Sequence, residues 1–147
     1  MFERVLVVCI GNVCRSPVAE AMLRRAIPGL RVESAGLGAL EGQGVDPTAR
    51  EIAEADGLEV AGHTARQVTR QMIQQAQLIL VMSERQRHAI AELSPEAMGK
   101  TMLLGKWLAG GKGCDIPDPY RKDRDTFAWV HGLLREATDA WVARLPG

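Results

Sequence analysis

Val5-Leu6-Val7-Val8 is an unbroken apolar run that leads straight into Cys9-Ile10-Gly11-Asn12-Val13-Cys14-Arg15-Ser16-Pro17, and no other stretch constrains the fold as tightly. Four successive apolar residues, three of them β-branched, suit a strand covered on both faces, as in a parallel sheet. Gly11 and Asn12 turn the chain. Ser16 is then expected as the N-cap of a helix, with Pro17 as its first residue. Val18, Ala19, Met22, Leu23 and Ala26 recur at helical spacing beyond it.

The rest of the chain repeats this alternation. Leu30 to Ser34 alternates apolar and polar residues, the pattern of an edge strand, and Asp46-Pro47 opens a second helix. Leu78 to Met82 reads as a second buried strand, with Ser83 capping the helix after it. Thr101 to Leu104 reads as a third, and a Gly- and Pro-rich loop runs from Gly110 to Pro119. The last helix carries Phe127, Val130, Leu134, Ala137 and Trp141 on one stripe. Strands alternating with helices predict an α/β fold. We expect a single domain over residues 1–147, a doubly wound sheet of about four parallel strands flanked by helices. In such sheets ligands sit beyond the carboxyl ends of the strands where the strand order reverses, so the turn after the first strand is the expected site.

Composition narrows the function. Eighteen Lys plus Arg balance eighteen Asp plus Glu in 147 residues. There is no surplus of cations to displace phosphate counterions, which argues against non-specific nucleic-acid binding. A hydrophobic share of 46% with 24% charged residues is ordinary for a globular chain and argues against disorder. No apolar run approaches the roughly 18 residues that span a membrane, and the first residues lack the pattern of a signal peptide. Three cysteines do not suggest a disulfide framework, so a cytoplasmic protein with reduced thiols is expected. His63, His88 and His131 share no metal-ligand spacing with one another or with the cysteines, and structural or surface roles are expected for all three.

Cys9 and Arg15, separated by five residues, carry the chemistry. A short loop between strand and helix can curl so that the backbone N–H groups from Ile10, Gly11, Asn12, Val13, Cys14, Arg15 and Ser16 converge on an anion, with the positive end of the helix behind it. Gly11 and Asn12 tolerate the positive φ that such a curl needs. Arg15 can grip two phosphate oxygens with its planar fork. Cys9 lies at the base, where the same field favours a thiolate. An ordinary thiol is only about 3% ionised at pH 7, so a nucleophile here needs that field. A thiolate beneath a bound phosphate is aligned for in-line attack on phosphorus. The bland alternative is a buried strand-end cysteine with a surface arginine.

These residues resemble the phosphate loop of the low-molecular-weight protein tyrosine phosphatases. Ser34-Ala35-Gly36, Asp46-Pro47, His63 through Gln67, Leu78 to Met82 and Asp118-Pro119-Tyr120 match in family order and extend the resemblance over essentially the whole chain. Ser34 through Leu40 and Asp118 through Lys122 resemble the bacterial branch associated with exopolysaccharide and capsule assembly. The resemblance implies hydrolysis of phosphotyrosine through a cysteinyl-phosphate intermediate, without metal or cofactor. It implies a phosphotyrosine protein as partner, an autophosphorylated bacterial tyrosine kinase. A monomer is expected, although nothing in the sequence fixes the oligomeric state.

Such an enzyme needs an acid to protonate the departing phenolate. The resemblance puts it on Asp118, between Pro117 and Pro119, with Asp115 as the competing carboxylate. Tyr120, the only tyrosine, can stack on the substrate ring, with Leu40 as the opposite wall. Eukaryotic members commonly carry an aromatic near Leu40, and a packing role for Leu40 is equally open. Arg66 and Arg70 fall in a stretch without acids, Val60 to Ser83, and a solvated face is expected there. Cys114 is expected to be incidental. Cys14, inside the loop, is expected to capture a peroxide-oxidised Cys9 as a disulfide. Arsenate reductases of related fold need further cysteines, and Leu80 to Ile90 has none. A mere phosphotyrosine binder has no use for a nucleophile and an acid together.

Overall fold

The structure, a computed structural model, describes residues 2–145. Four strands, β1 (Arg4–Cys9), β2 (Arg31–Gly36), β3 (Leu78–Val81) and β4 (Thr101–Leu103), form one parallel sheet in the order β2-β1-β3-β4. Among the described residues five α-helices accompany them: α1 (Arg15–Ala26), α2 (Pro47–Ala55), α3 (Arg70–Gln75), α4 (Glu84–Leu93) and α5 (Arg124–Val142). The doubly wound α/β fold expected from the alternation is the one found.

Alternation along β1 builds two cores, because successive side chains leave opposite faces of a strand. Val5, Val7 and Cys9 pack with Val18 and Met22 of α1 and with Phe127, Val130, Leu134 and Trp141 of α5. Leu6 and Val8 pack on the other face with Ile73 of α3, Ile90 of α4, and Ile79 and Val81 of β3. Trp141 also donates its indole N–H to the Leu104 carbonyl at 2.9 Å, so the last helix is tied to the segment after β4.

Local signals explain most helix starts. Asp46 accepts from the Thr48 and Ala49 amides ahead of α2, and Ser83 accepts from the Gln86 amide ahead of α4. Two expectations need correction. Cys14, not Ser16, stands at the N-cap of α1, Pro17 lies two residues inside the first turn, and no side chain caps this end. Ser16 is fully buried and its hydroxyl is used elsewhere. The strand at Thr101 ends at Leu103, on the sheet edge, with Met102 and Leu103 half-buried rather than buried, because a 3-10 turn over Leu104–Trp107 follows at once. The sheet order reverses between β1 and β3, so the end of β1 is the switch point.

Candidate active site

The backbone of the loop from Cys9 to Val13 is held by its carbonyls. Cys9 C=O accepts from Leu37 N–H at 2.9 Å, Ile10 C=O from Gly38 at 2.9 Å and Gly11 C=O from Leu40 at 3.0 Å. Asn12 C=O accepts from His63 Nε2 at 2.7 Å, which makes Nε2 the protonated nitrogen, and Val13 C=O accepts from Asp46 N–H at 2.9 Å. Five successive carbonyls thus have outside partners. Among the described residues, no backbone N–H from Ile10 to Cys14 donates to a protein acceptor. Peptide dipoles arranged this way, joined by the uncapped first turn of α1, form a cradle for an anion. Gly36 permits the arrangement: a Cβ there would stand 2.3 Å from the Ile10 carbonyl oxygen.

Asn12 is the pivot of the curl. Its φ is 59°, in the left-handed region, and its side chain, wholly buried, spends every polar group. Nδ2 donates to Ser16 Oγ at 2.8 Å and Ser34 Oγ at 3.0 Å, and Oδ1 accepts from Arg66 N–H at 3.0 Å. Ser34 Oγ donates to Glu20 Oε1 at 2.5 Å, so its lone pairs face Asn12. Ser16 Oγ, having accepted from Asn12, has its own proton free for Cys9 Sγ at 2.9 Å. A chain of hydrogen bonds therefore runs from the Glu20 carboxylate through Ser34, Asn12 and Ser16 to the sulfur, and Arg24 holds Glu20 at 2.6 Å.

Arg15 is buried and reaches across the molecule. One of its terminal nitrogens donates to the Ile116 carbonyl at 2.7 Å, the other lies 3.6 Å from Asp118 Oδ2, and Nε has no partner among the described residues. A small pocket of about 110 Å³ opens over this group, lined by Cys9, Arg15, Asp118, Ile10, Leu40 and Tyr120 among others. Asp118 and Tyr120 are locked together, since Asp118 Oδ1 accepts from Tyr120 N–H at 3.1 Å. Asp115 is engaged elsewhere, accepting from Glu84 N–H at 3.2 Å. Burial, with the nearby carboxylates of Asp46 and Asp118 adding to it, pushes the Cys14 thiol far above its ordinary range and keeps it protonated. A larger open cleft of about 850 Å³ involves Glu20, Ser34, His63 and Arg66. It offers no cysteine, so the thiol chemistry belongs to the smaller pocket.

A parallel sheet whose first strand ends in an amide cradle, with a thiol at its base and an arginine and a carboxylate above, defines a phosphate-ester enzyme of the cysteine type. The family model for low molecular weight phosphotyrosine protein phosphatase matches residues 4–146. The chain is 50% identical over 145 residues to the low molecular weight protein-tyrosine-phosphatase Wzb of Escherichia coli K12, covering 99% of this chain and 97% of that one. Its fold superposes on Vibrio vulnificus Wzb in complex with benzylphosphonate with a TM-score of 0.93 at 40% identity, covering 99% and 100% of the two chains. It also superposes on the YwlE arginine phosphatase of Geobacillus stearothermophilus, with a TM-score of 0.88 at 33% identity over 96% and 91%. The chain belongs to the low molecular weight phosphotyrosine protein phosphatase family and is a protein-tyrosine-phosphatase of its bacterial branch.

The structure brings the sequence-derived candidates Cys9, Arg15, Asp118, Leu40 and Tyr120 to one pocket. Ser34, Glu20 and the Arg66 backbone were not foreseen at the loop, and Arg66 is no free solvated side chain: its guanidinium donates to Ser34 C=O and pairs with Glu33 at 3.0 Å. For Asn12 the expectation covers its φ and its backbone N–H but not the side-chain hydrogen bonds that pin the loop. Among the histidines, His63 braces the loop, His131 pairs with Asp56 at 3.0 Å, and His88 is exposed.

Proposed function

We propose that Cys9 attacks the phosphorus of a phosphotyrosine, that Asp118 protonates the departing phenolate, and that the same carboxylate then activates water to hydrolyse the cysteinyl phosphate. Phosphate oxygens occupy the amides of residues 10–16, and Arg15 clamps two of them as charge builds in the transition state. The observation that supports this reading best is the set of five engaged carbonyls with the following amides left free, in a loop that lines one pocket with Cys9, Arg15 and Asp118. Ile10, Leu40 and Tyr120 give the entrance apolar sides suited to an aryl ring. We read the chain as one phosphatase domain without metal or cofactor. Its substrate is a phosphotyrosine protein, proposed to be an autophosphorylated bacterial tyrosine kinase of exopolysaccharide or capsule production, in the cytoplasm. Among the described residues no helix is long and apolar enough to cross a membrane. Cys14 is proposed to trap a Cys9 sulfenic acid as a disulfide, the Cys14 proton leaving with the sulfenic hydroxyl as water, a deprotonation eased once oxidation removes the negative charge of Cys9. Recovery from peroxide on adding dithiothreitol should fail in Cys14→Ser, and equal recovery in both proteins removes that role.

The test of the main reading is a substrate panel of phosphotyrosine, phosphoserine and phosphoarginine peptides of one sequence, assayed with EDTA present. Phosphotyrosine should be hydrolysed with a kcat/KM at least about a hundredfold above the others, since only it fills the aryl walls. A preference for phosphoarginine or phosphoserine would overturn the reading.

A further inference from the structure

Resting on the tyrosine-phosphatase reading of the pocket, we propose that Arg121 and Lys122 select substrates in which carboxylates flank the phosphotyrosine. Three observations converge on these residues. Arg121 has φ of 64°, at the third position of a turn closed by Lys122 N–H donating to Pro119 C=O at 2.8 Å. Glycine or asparagine takes that conformation with less strain, and a long cation kept there points to use of the side chain. Its guanidinium lies over the Tyr120 ring, 5.3 Å from the centroid, so the outer face of a pocket wall is cationic. Finally, neither Arg121 nor Lys122 has a carboxylate within 4 Å among the described residues; Arg4, Arg31, Arg70, Arg85, Arg144 and the other three lysines share that state, but none of them adjoins a residue that lines the pocket of Cys9 on the acid side.

Of the acids nearest in sequence, two are committed elsewhere, and the third, Asp125, pairs with neither cation within 4 Å. Asp118 faces Arg15, and Asp123 accepts from both the amide and the hydroxyl of Thr126 at the start of α5. Arg121, over the Tyr120 ring, therefore sets an unneutralised cation against one wall of a pocket whose own charges, Arg15 and Asp118, answer one another, and Lys122 follows it directly in the chain. A peptide advances about 3.3–3.6 Å per residue when extended. Side chains one or two positions from a phosphotyrosine held against Tyr120 consequently fall within reach of this pair. Peptide carboxylates satisfy it, and peptide lysines are repelled.

The test uses three phosphotyrosine peptides that differ only at the flanking positions, with Asp, Ala or Lys there, read as kcat/KM. Two exposed charge contacts predict about a fivefold to tenfold advantage of the Asp over the Lys peptide at low salt, shrinking as salt is added. R121G/K122A keeps the left-handed turn with glycine and should bring the ratio within about twofold of one, R121E/K122E should invert it, and R121K/K122R should restore it. A wild-type ratio near one, or a ratio that survives R121G/K122A, overturns charge selection and leaves the phosphatase reading standing. Failure of the wild type to hydrolyse any of the three overturns both.

Discussion

The two loops that meet over Cys9 are built on opposite principles. The loop from Cys9 to Arg15 is buried apart from Ile10 and Gly11, Asn12 completely so, and every carbonyl from Cys9 to Val13 is tied to another segment. The loop carrying Asp118 is open: its carboxylate is 45% exposed, and positive-φ glycines at 110, 111 and 113 precede it. Its ties near the site are few, Ile116 N–H to Met82 C=O at 2.8 Å and Arg15 to Ile116 C=O at 2.7 Å. A group that stabilises developing charge must be aligned before reaction, because reorganising dipoles during the step costs rate. A proton donor needs only to reach the leaving oxygen, and it must let substrate in and product out. Rigid cradle and lightly held acid follow from those two tasks.

The contrast predicts graded losses. Replacing the cradle's nucleophile, Cys9→Ser, should lower turnover by several orders of magnitude while vanadate or phosphate still binds; steady-state rates with an inhibition assay check both halves. Arg15→Lys keeps the charge but loses the planar fork, and should lower kcat by on the order of a hundredfold to a thousandfold. A lysine enzyme with most of the original kcat would show that charge alone suffices. In the open loop, Asp118→Ala should slow phenyl phosphate by about 10²-fold or more, and nitrophenyl phosphate much less, since a poor leaving group needs the proton most. Asp115→Ala should not show that dependence on the leaving group.

Glycines sharpen the comparison further. Gly36→Ala forces a Cβ against the Ile10 carbonyl, and should cost about 1–3 kcal/mol of stability and at least about tenfold in kcat/KM. Gly132→Ala, on α5 with open space around it, should instead stabilise by about 0.5–1 kcal/mol without touching activity. Thermal melts alongside kinetics separate the two.

A smaller effect lies away from both loops. Asp56 has its carboxyl held below the usual carboxylate range, chiefly by the hydrogen bond from His131, with Arg135 and Arg25 adding to it. A carboxylate whose folded value is depressed contributes stability above its unfolded value, about 3.9, and loses it as pH falls through the lower folded value. Asp56→Asn should therefore melt a few degrees lower at pH 7, and the gap should close below about pH 4.

Much of this was legible from the chain because it is local. Cys9, Arg15 and the Gly11-Asn12 turn sit in one stretch of sequence, and Asp46 and Ser83 announce their helices within three residues. Ser16 was misread because Ser-Pro before an apolar helix has the signature of a cap, while the backbone already becomes helical at Arg15. The hydrogen-bond chain through Asn12, Ser34 and Glu20, and the brace from His63, join residues 14 to 51 positions apart. No spacing rule in a single sequence reports such partners. The β4 edge was overextended because Leu104 is apolar and fully buried, yet it belongs to the turn after the strand, where Gly105 packs against the Cys114 carbonyl.

If the rigid loop holds the nucleophile, the phosphoryl group passes through a covalent bond to Cys9, and that intermediate can be caught. Turnover of a ³²P-labelled aryl phosphate, stopped by rapid denaturation and followed by peptide mapping, should find the label on Cys9, in greater amount in Asp118→Ala if that residue also activates water. Label on any other residue, or none on Cys9 during sustained turnover, would contradict the account.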